Sequence, residues 1–354
     1  MQPPITITRM PKSQSRRRPL PMVTEAVPLP RELYLESTNR CNELCDQCPR
    51  THLGREAERD LSLAEVIRIT DQLPVLERVV LHGLGEPMLN PELPQIVAHL
   101  RSRGAYVLFN SNATALSERM GRALIEAGLN ELRVSLDGAT PATYARVRGV
   151  TVKTLPKILA NVRRFVDLKE SLGADLPRLS FWFTAMRENL HELPMLPDLA
   201  RQTGVREIYV QRFIYFGEGL ATADQAIFRR AAEDEIDLIA QTETRCRELG
   251  LDFRATGATT PADYIAQTDE AARRPWSPCQ RPRKLAYITA LGNVFSCCFA
   301  PFHPGPASTR VLGNVFEQSF AEVWNGARYQ SFRAAFDSNE PWDQCAGCGT
   351  QWSL

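Results

Sequence analysis

From residue 31 to about residue 215, short β-branched or apolar runs alternate with longer amphipathic ones, and this alternation restricts the possible folds more than any other feature. Runs at 32–36, 78–82, 106–110, 131–136, 178–184 and 207–212 have strand composition, and 63–73, 93–103, 117–127, 155–171 and 193–203 carry a helical period. Six strands with five helices between them require parallel pairing through right-handed crossovers. A barrel, a partial barrel and an open doubly wound sheet all satisfy that pattern, and periodicity alone does not choose among them. In each, the ligand site lies in the loops that follow the strands.

The flanking segments differ in character. Residues 1–30 are rich in proline, contain Arg16-Arg17-Arg18 and show no period able to bury a face, which predicts a flexible tail with a solvated charge run. The α/β unit is expected over 31–220. Residues 221–255 have neither Gly nor Pro before Gly250 and predict a helical connector. Residues 256–354 break into short segments punctuated by Pro and Gly and hold the last five cysteines, as expected of a small domain organised by a metal centre.

With 42 basic and 41 acidic side chains, the net charge of +1 gives no field to attract nucleic acid or an anionic membrane. No apolar run approaches the roughly 18 residues that span a bilayer, and no secretion signal is evident. The expected setting is the cytoplasm, without nucleic-acid or membrane partners. There the nine cysteines are first read as metal ligands or catalytic thiols, because cytosolic thiols stay reduced. Seven fall into the groups Cys41/Cys45/Cys48, Cys297/Cys298 and Cys345/Cys348, and Cys246 and Cys279 stand alone.

Cys41-x3-Cys45-x2-Cys48 follows the first predicted strand directly. Closed zinc and [4Fe–4S] sites take four ligands, so three thiolates on one tight loop suit a cubane cluster with one position left for another molecule. A zinc site completed by His52, or plain structural cysteines, are the alternatives.

The stretch Thr38-Asn39-Arg40-Cys41-Asn42, continuing through Cys45, Cys48 and Pro49-Arg50, resembles the cluster-binding loop of radical S-adenosylmethionine (SAM) enzymes. The resemblance implies that the open iron chelates the amino and carboxylate groups of SAM. Reduction then yields a 5′-deoxyadenosyl radical that takes hydrogen from the substrate, and a flavodoxin- or ferredoxin-type protein is the expected reductant. Gln47 departs from the pattern, which usually has an aromatic residue there. Gly83-Leu84-Gly85-Glu86-Pro87 is similar to the family's Gly-Gly-Glu-Pro segment, implying that Gly85 and Glu86 hold the SAM amino group. Ser111-Asn112-Ala113 and Ser135-Leu136-Asp137-Gly138, followed by Tyr144 and Arg148-Gly149, resemble further segments beside bound SAM, which makes Asn112, Ser135 and Arg148 candidate contacts. Each short match is an ordinary turn by itself; their order along the chain carries the resemblance. It covers about residues 31–215 and implies a partial (β/α)6 barrel of TIM type.

Cys279, twelve residues, Gly292, four residues, Cys297 and a final Cys345-x2-Cys348 resemble the first half of the SPASM pattern, a C-terminal extension of radical SAM enzymes. The sequence ends six residues after Cys348, as in the shortened twitch form with one auxiliary cluster. Cys279, Cys297, Cys345 and Cys348 would close a [4Fe–4S] cluster, with a zinc site made of the same four thiolates as the alternative. The glycine spacing favours Cys297 over Cys298, and Cys246 reads as a buried small hydrophobe.

Residues after the fifth and sixth strands, Arg187, Asn189, Gln211 and Arg212, are candidates to face the substrate. The five histidines share no ligand spacing, and His82 alone adjoins a motif. The leading expectation is an oxidoreductase acting on a small-molecule substrate, with the auxiliary cluster taking the substrate's electron. A peptide- or protein-modifying maturase and a zinc-stabilised binding protein without enzymatic activity are the competing readings.

Overall fold

The structure, a computed structural model, describes residues 26–53, 57–227, 231–255, 276, 279–303, 307–346 and 348. The basic triplet at 16–18 lies outside them. Strands β1 (Glu32–Leu35), β2 (Arg78–Val80), β3 (Tyr106–Ser111), β4 (Glu131–Ser135), β5 (Arg178–Thr184), β6 (Glu207–Gln211) and β7 (Asp252–Ala255) pair in parallel in chain order. Helices α1 (Pro49–His52), α2 (Leu63–Thr70), α3 (Leu93–Ser102), α4 (Glu118–Glu126), α5 (Pro141–Arg148), α6 (Thr154–Ser171), α7 (Leu196–Thr203) and α8 (Glu233–Leu249) lie between them.

Alternation along the strands divides the two faces of the sheet. Leu33, Val79, Phe109, Leu132, Phe181 and Ile208 are fully buried in one core with Val66 and Ile69 of α2, Ile96 of α3 and Ile158 and Val162 of α6. Each such side chain contributes about 1.5–3 kcal/mol by leaving water. The opposite face is polar, where Arg178 pairs with Glu207 at 2.6 Å, Arg133 with Glu131 at 2.8 Å and Arg78 with Glu32 at 3.5 Å. Trp182 stacks on Tyr209 at 4.0 Å, and the Arg133 guanidinium lies 4.0 Å over the Trp182 ring.

Three differences from the sequence reading stand out. The segment at 221–255 is not a bare connector: α8 packs on α7, and β7 pairs with β6 as a seventh parallel strand. Second, β8 (Leu285–Ile288) lies parallel beside β1 with Tyr34 opposite Tyr287, so the cysteine-rich segment extends the barrel sheet. An antiparallel β9 (Asn293–Phe295) and β10 (Gly313–Asn314) follow it. Third, α5 escaped notice because the face it buries, Thr143, Tyr144, Val147 and Arg148, is not an apolar stripe. The sheet runs in a line from β10 to β7 and does not close among the described residues, giving a partial TIM-type barrel. No described helix is long and apolar enough to cross a membrane.

Candidate functional site

The loop after β1 is fixed at both ends before its cysteines are considered. Glu36 accepts hydrogen bonds from the Leu84 N–H at 2.7 Å, the Tyr287 hydroxyl at 2.8 Å and the Ala290 N–H at 3.1 Å, joining β1 to the loop after β2 and to β8. Asn39 accepts from the Arg59 N–H at 2.7 Å, and buried Arg50 donates to the Asn39 carbonyl at 3.0 Å. Between these anchors the Cys48 N–H donates to the Cys45 carbonyl at 3.0 Å, a tight turn that brings the thiols together.

Cys41, Cys45 and Cys48 line one cavity of about 270 Å³ at the C-terminal ends of the strands, and Gly85, Glu86, Asn112, Ser135 and Arg148 line the same cavity. All eight residues singled out by sequence for the upstream site therefore meet. His52 does not line it; its Nε2 is 2.9 Å from the Asp46 carbonyl oxygen, which leaves the zinc alternative without its fourth ligand.

Burial pushes the Cys41 thiol up to about 11, with Glu86, Glu43 and Cys48 adding to the shift. Cys45 and Cys48 are raised mainly by burial as well. Three such thiols ionise together only when a cation joins them, a donor set that fits metal rather than free thiolates. Beside them Arg148 is 8% exposed; burial opposes its charge, but Asp137, Cys45, Tyr144 and Glu43 outweigh it and hold the guanidinium protonated. It pairs with Asp137 at 2.9 Å and with Glu43 at 3.4 Å, and lies 3.6 Å from the Cys45 sulfur. Gln47 donates to Asp137 at 2.9 Å, which orients its amide. Gln47 Oε1 and Arg148 Nε are buried without a partner among the described residues, an acceptor and a donor suited to a polar ligand such as SAM.

Glu86 is buried, and burial raises its carboxyl to about 7 against the opposing hydrogen bonds of Asn112, Ser111 and Met88. The Ser111 hydroxyl and the Asn112 N–H each donate to it at 2.7 Å, so it ties the loop after β2 to the end of β3 while lining the cavity. A Cβ on Gly85 would stand 2.1 Å from the Thr38 carbonyl oxygen, which is why glycine is needed there. His82 is also in the wall; its Nδ1 accepts from the Asn110 N–H at 3.0 Å, and burial with the charges of Arg133 and Arg78 lowers its pKa to about 3. Of the substrate candidates, Gln211 and Arg212 line the cavity, whereas Arg187 is drawn away to Glu235 at 2.8 Å and Asn189 is buried, donating to the Asp137 and Thr184 carbonyls. Sequence reasoning missed Tyr287 and Phe299, which sit in the wall without any local motif, and gave no role at this cavity to Glu43, inside the three-cysteine loop, or to Cys298, weighed only as an alternative to Cys297.

A second, small cavity is lined by Cys279, Cys297, Cys345 and Cys348, with Arg281 and Phe299 beside them. Burial raises Cys297 to about 12, and Cys345 is raised mainly by burial with Cys297, Cys348 and Cys279 adding to it. The four thiols thus lie within one another's field, a donor set that fits a fully ligated cluster. Gly292, with φ +80°, makes the turn between β8 and β9 that carries Cys297 to this place. Cys246 is 1% exposed in the hydrophobic core, away from both cavities.

Residues 35–172 match the Radical SAM superfamily, and residues 279–349 match the SPASM iron–sulfur cluster-binding domain. The PqqA peptide cyclase of Granulibacter bethesdensis is 26% identical over 326 residues, spanning 91% of this chain and 81% of that protein. The tungsten-containing aldehyde ferredoxin oxidoreductase cofactor-modifying protein of Pyrococcus furiosus is 25% identical over 334 residues, spanning 89% and 86%. Among solved structures, Streptococcus suis SuiB bound to S-adenosylmethionine superposes with a TM-score of 0.66 at 15% identity over 91% of this chain and 71% of SuiB, a likeness of fold.

Proposed function

The chain belongs to the radical SAM superfamily and carries a C-terminal SPASM iron–sulfur domain, and we propose that it modifies a peptide. The observation that supports a peptide over the small molecule expected from sequence is the relationship, over nine-tenths of the chain, to curated peptide cyclases. Its cofactors are SAM, the SAM-binding [4Fe–4S] cluster and auxiliary iron–sulfur. When bound, the first cluster supplies the electron that cleaves SAM and so allows a hydrogen atom to be taken from the substrate.

In this reading Cys41, Cys45 and Cys48 hold that cluster, and their number leaves one position for SAM. Arg148 offsets the charge at Cys45, and Asp137 and Glu43 keep the guanidinium in place. Glu86 holds the end of β3 against the loop after β2, so that Gly85 and Asn112 face the same molecule from two strands. Ser135 presents a hydroxyl to it and Gln47 an oriented amide oxygen. Cys279, Cys297, Cys345 and Cys348 hold the auxiliary cluster. Gln211, Arg212 and Phe213 stand in the wall of the same cavity, where the substrate would meet them.

The experiment is an anaerobic incubation of the loaded protein with SAM, dithionite and deuterated candidate substrates, synthetic peptides and small-molecule alcohols in parallel. Transfer of deuterium into 5′-deoxyadenosine and a mass change in the peptide are expected. Transfer from a deuterated small molecule while every peptide keeps its deuterium and its mass would restore the small-molecule reading.

A further inference from the structure

The two cavities share a wall, and one cation reaches both sides of it. Phe299 lines both cavities, Cys298 lines the main one and Arg281 lines the second. Arg281 Nη1 donates to the Cys298 sulfur at 2.8 Å, and its guanidinium lies 4.6 Å over the Phe299 ring. An arginine keeps its charge at any working pH, so Arg281 brings a fixed positive charge to the cavity lined by Cys279, Cys297, Cys345 and Cys348. Those four thiols are the set assigned above to the auxiliary cluster.

A cubane held by four thiolates is an anion that gains further negative charge on reduction, and its potential follows net charge and hydrogen bonding around it. A fixed positive charge beside it in a poorly solvated interior favours the reduced form, because the attraction there is much less attenuated than in water. We propose that Arg281 is a positioning residue that raises the reduction potential of the auxiliary cluster and holds Cys298 at the boundary with the substrate cavity. This rests on the assignment of that cluster to Cys279, Cys297, Cys345 and Cys348.

The test uses the full chain carrying Cys41→Ala, Cys45→Ala and Cys48→Ala, reconstituted anaerobically, so that the auxiliary cluster alone gives the signal in a redox titration followed by electron paramagnetic resonance. Arg281→Met is expected to lower the reduced-to-oxidised ratio at fixed poise at least tenfold, a shift of about 59 mV for a one-electron couple. Arg281→Lys keeps the charge and should stay within about threefold of its parent. Arg281→Gln retains a donor without the charge and should move as Met does, which separates charge from hydrogen bonding and stands in if Met disturbs folding. A Met or Gln variant that holds four irons and titrates like its parent overturns the inference alone. A parent that holds no iron, or holds zinc, overturns the cluster assignment beneath it and the inference with it.

Discussion

Cys297 and Cys298 are consecutive in the chain yet line different cavities, the first with Cys279, Cys345 and Cys348, the second with Glu86 and the three-cysteine loop. Wild-type protein should therefore bind about eight irons, four per cubane. Cys297→Ala should hold about half of that, while Cys298→Ser keeps nearly all of it. Iron and sulfide analysis of anaerobically purified protein decides the matter, and equal loss from both variants would contradict the division.

Removing any one thiol of the upstream loop should separate the two sites. Cys41→Ala, Cys45→Ala and Cys48→Ala should each reduce 5′-deoxyadenosine formation to background while retaining about four irons at the auxiliary site. Chromatographic assay of the nucleoside checks this; near-normal formation in any of the three would remove that cysteine from the ligand set.

Gly85→Ala tests how closely the two loops approach. The added Cβ would lie 2.1 Å from the Thr38 carbonyl oxygen and 2.7 Å from that of Arg40, both backbone atoms of the cluster loop. Overpacking of this kind costs about 1–3 kcal/mol. Displacing bound SAM by an ångström costs roughly a hundredfold in rate. A variant that binds SAM and cleaves it within twofold of wild type would mean that the loops yield freely.

His82 gives a pH signature. The unfolded chain takes up its proton near pH 6.5, whereas the buried ring takes it only near 3. Between those values the unfolded state binds more protons, so this group leaves stability untouched above pH 6.5 and lowers it as pH falls. In urea titrations of iron-free protein, the loss of stability between about pH 7 and about pH 4.5 should be smaller in His82→Gln than in wild type by roughly 2 kcal/mol. Parallel pH curves for the two proteins would falsify the assignment.

Legibility followed locality. The three-cysteine loop, Gly85, Glu86 and Asn112 were readable because their spacing and their place after apolar runs are properties of short stretches, and parallel packing brings strand ends together. The four residues of β8, all buried, give no alternation to distinguish them, and their partner β1 lies far away in sequence. Glu36 and Arg281 act through contacts to residues distant in the chain and leave no local pattern. The helix expected within 221–255 is present as α8, but the strand after it was not legible, because Leu249 and Gly250 end a helix equally well before a strand or a domain boundary.

The pairing of β8 with β1 bears on how the protein is made. Tyr287, which donates to Glu36, leaves the ribosome 251 residues after it. At ordinary rates of synthesis that delay is roughly 10–50 s. Until then one edge of the first strand and the base of the cluster loop stand without their final support. In the proposed assignment, truncation before β8 should therefore give a barrel that loses its upstream iron along with the auxiliary site, and iron analysis of the truncated chain checks this.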